Sequence, residues 1–289
     1  MQRTRDYYLA LGYGNPYQWA HFEDVPFAPF TKDLSSATIA LVTTAAPFQT
    51  DKGDQGPGAP MNADAKFYRV YTKPIDPMPD LRIAHVAIDR DHTSAEDIGS
   101  YVPINALKNA ENNKVIKSVN HRIYGLPTNR SKRTTTEQDI PELLALIKED
   151  QVDAVVLVPN CPVCHQSVSM AARAIEDSGI PTVIMGCALD IVEHCGVPRF
   201  VFSDFPLGNG AGKPHDIASQ NQTLQLALDL LVEAEAPRST VTSPIEWAED
   251  HDWKLDYSNA DRLSEEEIKA RRAAFDAGKS AAKAIRDQS

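Results

Sequence analysis

The chain predicts an α/β fold: a mainly parallel sheet with helices on both faces, layered, plus a helix appended at the C-terminus. Three observations carry this. Short, nearly continuous apolar runs recur, as strands covered on both faces require; amphipathic helical patterns alternate with them; and each alternation is punctuated by Gly, Pro or Asn.

Residues 1–30 are aromatic-rich and irregular and read as an extended arm. Residues 37–46, "ATIALVTTAA", are a buried strand; residues 48–67 are a Gly/Pro-punctuated loop; residues 81–88, "LRIAHVAI", are a second strand candidate. A short helix is expected near residues 103–110, and "VIKSVNHRIYG" (115–125) is expected to be strand and turn. From there the pattern is regular. Helix 134–151, strand 152–160, helix 164–179 stopped by Gly179, strand 180–188, short helix 190–196, strand 198–204 and helix 217–234 follow in turn. After Pro237 the chain turns polar and irregular, and residues 264–289 form a charged helix with a Ser cap and an acidic first turn. Ile268, Phe275 and Ile285 are its sparse large apolar positions, which suits a peripheral helix or subunit contact. The organisation expected is an arm (1–30), a core (31–236, divisible into lobes 31–135 and 136–236) and an extension (237–289).

Composition narrows function. Of the 289 residues 42% are hydrophobic, enough for one large core or two smaller ones, and 40 acidic against 29 basic side chains give a formal charge of −11. With no Lys/Arg-rich run, nucleic acid is excluded as a partner. The start of the chain lacks a signal-peptide pattern and no segment has the roughly 20 apolar residues of a membrane span, so no membrane association and a cytoplasmic location are expected. Four cysteines in a chain this long are no disulfide framework.

In open parallel sheets ligands bind beyond the carboxyl ends of the strands, and three expected ends carry suitable residues: Thr43 and Thr44, Cys161, and Cys187. Cys161-Pro162-Val163-Cys164-His165 places Cys161 in a loop and Cys164 at a helix start, where free N–H groups favour a thiolate. The spacing lets one sulfur attack and the other resolve, with His165 exchanging a proton. Zinc is the alternative, with Cys187, His194 and Cys195 as the available further ligands, although Cys195 by itself reads as core. "PLGNGAGKPHD" sets Gly208, Asn209, Gly210, Gly212 and His215 between a strand and a helix, where backbone N–H groups could hold a substrate carboxylate. His85, Asp89, Asp91 and His92 form a further cluster; His85, Asp89 and His92 are candidate metal ligands, and His85 is the member expected to be buried.

"VDAVVLVPNCPVCHQSVSMAARAIEDSGIPTVIM", followed by "GVPRFVFSDFPLGNGAGKPHD", resembles the selenoprotein B family of glycine, sarcosine, betaine and D-proline reductases, with the small subunit of D-proline reductase the nearest pattern. "PFTKDLSSATIALVTTAA" and "HVAIDRDHTSAEDIGSYVPINAL" resemble family segments too, so the likeness spans roughly residues 24–236. By position, Cys161 takes the selenocysteine place, Cys164 the partner thiol, and His165 follows as in the family. The resemblance implies attack on the activated α-carbon of a small anionic substrate, reductive carbon–nitrogen cleavage, and closure of the cycle by a thioredoxin-like or small-thiol donor. It also implies an activating partner subunit. No organic cofactor is expected, and a homo-oligomer is expected on general grounds. A sulfur in place of selenium should react more slowly. Two readings compete: a cysteine racemase, isomerase or desulfurase using Cys161 and Cys187, and a non-catalytic zinc protein.

Overall fold

The computed structural model describes residues 1–14, 17–57, 62, 64–85 and 87–286. Its centre is β1 (Thr38–Thr43), whose alternate side chains face opposite layers: Ile39 and Leu41 one way, Ala40 and Val42 the other. β7 (Ala154–Val158), β8 (Thr182–Gly186) and β9 (Arg199–Phe202) stack in parallel from one side of β1. On the other side, β5 (Ser118–Val119) and β6 (Arg122–Gly125) pair in parallel with its first and last residues, like one interrupted strand. The eight-stranded sheet is completed by β3 (Tyr71–Pro74), antiparallel to β6, and β10 (Ser239–Thr242), parallel to β9.

Helices cover both faces, as the alternating pattern predicts. α2 (Ile104–Asn112) and α7 (Ile217–Glu233) set Ile104, Leu107, Leu224 and Leu228 against Leu41, Val156 and Met185. On the opposite face, α4 (Ile140–Glu149), α5 (Pro162–Asp177) and α6 (Leu189–Cys195) set Leu143, Ile147, Ala171, Ile175 and Val192 against Val42, Leu157 and Phe200. Strands from both sides of residue 135 therefore share one sheet.

Several elements differ from expectation. The stretch 81–88 forms only the short β4 (Leu81–Arg82), antiparallel to β2 (Ala46–Pro47). Val86 lies outside the described residues. Residues 83–85 and 87–88 run as open chain, and Ile83 and Ile88 are apolar because they pack on cysteines, not because they pair in a sheet. β3 and β10 were hidden by polar edge composition, since only one side of an edge strand needs a partner. The arm begins with α1 (Gln2–Ala10). α8 (Glu265–Arg286) is where the sequence puts it, opened by a reciprocal capping box between Ser264 and Glu267; the side chains of Phe275 and Ile285 lie outside the described ones. Among the described residues no helix is long and apolar enough to cross a membrane.

An ion pair ties β6 to the end of α4: Arg122 Nε donates to Asp150 at 2.7 Å, joined by Asn120 and the Tyr124 hydroxyl. Burial would raise the Asp150 carboxyl, but the hydrogen bonds from Arg122, Tyr124 and Asn120 bring it to about 2 from 3.8. A depressed carboxylate stabilises the fold above its unfolded pKa, and that stability is lost as pH falls from about 4 through about 2. Asp150→Asn is expected to cost about 2 kcal/mol at neutral pH and to flatten the acid limb of stability, read by urea unfolding between about pH 2 and 7.

Candidate active site

Connections from β1 lead to β6 on one side, while those from β7 lead through β8 and β9 on the other. The crevice beyond the carboxyl ends of β1 and β7 is therefore the topological switch point, where open α/β sheets bind ligands. Thr43 and Thr44 close its β1 side. Thr43 Oγ1 accepts the Ala45 N–H, and Thr44 Oγ1 accepts the Asn160 N–H, both at 3.1 Å. Asn160 is fully buried, yet among the described residues neither atom of its side-chain amide has a partner, so it presents both a donor and an acceptor. Sequence reasoning passed over it because nothing local distinguishes it from a turn asparagine.

The next residue, Cys161, is the N-cap of α5, with extended backbone (φ −123°, ψ 170°) and Pro162 supplying the first helical turn. Its Sγ accepts the Cys164 N–H at 3.2 Å. Both thiols are free, Cys161 is 5% exposed and Cys164 is fully enclosed. Thr128 Oγ1 lies 3.2 Å from Cys164 Sγ, and a ring nitrogen of His85 lies within 4.8 Å of both sulfurs. Burial raises both thiols, but donors from Cys161, His85 and Thr128 outweigh it at Cys164, which is held well below the ordinary thiol range. Burial and the neighbouring Cys164 push Cys161 well above that range. The two sulfurs are thus strongly coupled, and a negative charge on the pair is favoured on Cys164 over Cys161.

His165 does not reach the sulfurs. Its Nδ1–H donates to the Cys161 carbonyl at 2.8 Å, and its Nε2 accepts the Cys187 and Ala188 N–H groups at 3.0 and 3.2 Å. Burial lowers its pKa, and the neutral ring clamps the β7–α5 loop to the β8–α6 loop. The imidazole beside the thiols is that of His85. It arrives from 76 positions upstream in a segment without regular structure, which no spacing rule would pair with Cys161.

The other candidates separate. Asp89 and His92 pair with each other at 3.0 Å, and His92 reaches Asp256 at 3.3 Å, so they do not join His85 in a metal cluster. Burial pushes the Cys187 thiol up to about 12. The N–H groups of Asn209 and Phe205 donate to the Pro206 and Ser203 carbonyls at 3.2 and 2.8 Å. Gly210 lies against β8 so closely that a Cβ there would sit 3.0 Å from Gly186 Cα, and Gly212 has φ +134° with Gln220 Cα 2.7 Å from where its Cβ would be. Asn209 is tied to Thr93 and the Pro206 carbonyl. His215 is on the surface, its side chain 68% exposed and 3.6 Å from Glu96. Cys195 is core, as expected, and His194 stacks on His21.

Two features surround the dithiol. A small cleft is lined by Ile83 and Ile88, which also pack on the cysteines, and by Arg82, Arg90 and Thr93. Arg90 donates to the His85 carbonyl at 2.7 Å and Arg82 is paired with Asp80. On another side, the phenols of Tyr8, Tyr17 and Tyr257 lie close enough to feel charge on Cys161. The terminal segments are therefore part of the site's surroundings. They also join each other, with the Arg272 guanidinium of α8 3.7 Å over the Tyr13 ring and bonded to the Leu11 carbonyl.

Residues 11–160 match the family model described as glycine/sarcosine/betaine reductase selenoprotein B. The D-proline reductase subunit gamma of Acetoanaerobium sticklandii is 30% identical over 76% of this chain and 89% of that protein. The glycine reductase complex component B subunit gamma of Symbiobacterium thermophilum is 26% identical over 71% of this chain and 48% of its own length. The betaine reductase complex component B subunit beta of Peptoclostridium acidaminophilum is 25% identical over 64% and 43%. The chain thus aligns with about half the length of the glycine and betaine reductase relatives, and no solved structure matches it.

Proposed function

The chain belongs to the glycine/sarcosine/betaine reductase selenoprotein B family, and we propose that it is a thiol-dependent reductase that cleaves a carbon–nitrogen bond in a small anionic substrate with the Cys161–Cys164 dithiol. The observation that carries this reading is the position of that pair. Two buried free thiols sit at the sheet's switch point, on a helix N-terminus, separated from a cleft by Ile83 and Ile88.

In the proposed cycle Cys161 loses its proton to Cys164 as its sulfur attacks the activated carbon. The carbon–nitrogen bond breaks, and the amine leaves with the bonding pair and takes a proton. Cys164, its proton passed to His85, then attacks the Cys161 sulfur. The S–S bond forms, and the carbon–sulfur pair stays on carbon, which is protonated. The substrate has gained two electrons and the dithiol has become a disulfide. A thioredoxin-like or small-thiol donor returns the electrons by exchange. The Arg90 guanidinium and the unpartnered Asn160 amide are suited to a carboxylated substrate. The relatives are named as subunits or complex components, which supports action beside an activating partner subunit. Cys187, the second thiol a two-cysteine racemase would use, lies outside the cluster that Cys161, Cys164 and His85 form, which favours the dithiol reading.

The test is disulfide mapping. Mild oxidation of the full-length protein should remove two thiols as a single Cys161–Cys164 bond, identified by mass spectrometry of the digested chain, and thioredoxin should restore both. If oxidation leaves Cys161 and Cys164 as thiols, the reductase reading fails.

A further inference from the structure

We propose that the reduced Cys161–Cys164 pair and His85 together form a binding site for a thiophilic divalent cation of the zinc type, with three protein ligands and one open position. This goes beyond the reductase reading, since it requires reduced thiols but no turnover.

The three ligand atoms lie within 4.8 Å of one another and all three residues are buried; this is the one such cluster of His, Cys, Asp or Glu among the described residues. Zinc–sulfur bonds of about 2.3 Å and zinc–nitrogen bonds of about 2.0 Å put tetrahedral ligand atoms roughly 3.3–3.8 Å apart, so closure asks for shifts on the order of 1 Å. Cys161 at the cap and Cys164 in the first turn already point to one place, because the sulfur of one accepts the amide of the other. His85 adds an independent sign: it is buried, and among the described residues its Nδ1 has no hydrogen-bond partner. Two thiolates and an imidazole are the donor set that selects zinc over magnesium or calcium.

Charge favours the same occupant. Two thiolates cannot coexist in so enclosed a place, whereas a dication neutralises both. Binding therefore displaces whatever thiol proton remains on the pair in favour of one cation. Disulfide formation removes both sulfur ligands, so the site exists only in the reduced protein. A bound cation in turn withholds the sulfurs from oxidation and from substrate.

The test uses the full-length protein, reduced with a phosphine, desalted without oxygen and titrated with cobalt(II), then with zinc(II) against a chromophoric chelator. One equivalent of cobalt should produce thiolate charge-transfer bands and the visible bands of a tetrahedral centre, and zinc should bleach them. Cys161→Ser or Cys164→Ser should abolish the bands. His85→Ala should weaken zinc at least about tenfold, with His85→Gln compared if the alanine variant loses its far-ultraviolet circular dichroism, while His92→Ala should bind as the wild type does. Uptake that survives Cys161→Ser, or that is unchanged in a folded His85 variant, overturns the site. A protein that forms the Cys161–Cys164 disulfide but shows no cobalt–thiolate band overturns the metal site and leaves the reductase reading standing.

Discussion

Cys161→Ser is expected to lower reductive turnover by on the order of 1,000-fold or more, because the attacking atom is removed and the neighbouring Cys164 is fully enclosed. Cys187 lies outside the cluster of Cys161, Cys164 and His85, and Cys195 is buried in the core. Cys164→Ser should be as inactive in multiple turnovers but for a different reason. Attack by Cys161 can still proceed with His85 taking its proton, so the adduct on its sulfur accumulates, and its mass reports the carbon skeleton of the substrate. The measurement is intact-protein mass spectrometry of both variants after incubation with a panel of small carboxylated amines. Wild-type turnover in Cys164→Ser would instead identify a one-cysteine reaction such as racemisation or desulfuration.

Arg199→Met is expected to destabilise the fold by about 3–5 kcal/mol, the cost of leaving one member of a buried ion pair without the other. Arg199 is fully buried, donates to Glu176 at 2.8 Å and to the Ala28 carbonyl at 2.9 Å, and stacks on Phe27 at 4.3 Å. Glu176 also accepts the N–H groups of Ala28 and Thr182 and the Thr182 hydroxyl. The pair thus fastens the arm to β8 and β9 through residues 27 and 28, downstream of Tyr17 and Ala20, both of which bond Gln166 of α5 near the dithiol. Urea unfolding of Arg199→Met, Glu176→Leu and the double variant separates the coupling from the packing. The double variant should recover part of the loss, though the Ala28 and Thr182 amides remain unsatisfied. In Arg199→Met the loosened arm should also speed alkylation of Cys161. A loss below about 1 kcal/mol would mean that water enters to solvate Glu176.

The strands that build the sheet's middle were legible because each is a local run whose burial on both faces leaves no polar position to disguise it: residues 38–43, 154–158, 182–186 and 199–202 all lie inside expected runs. The dithiol was legible for a similar reason. Cys161, Pro162 and Cys164 are bound into one helix start by backbone geometry alone, so their spacing already contains their arrangement. Edge strands β3 and β10 were not, since a one-sided partner tolerates Lys73, Pro74 and Ser239.

The sequence by itself determined the layered α/β architecture, the place of the Cys161–Cys164 pair and the family likeness, all of which rest on patterns a few residues long. Only the tertiary structure decided which groups surround that pair. It brought in His85 and Thr128, turned His165 to the backbone, sent His215 to the surface, and set Tyr8 and Tyr257 from opposite ends of the chain near Cys161. The physical reason is that a side chain's electrostatic partners follow from how strands and loops distant in sequence are packed side by side, and no periodicity along the chain encodes that distance.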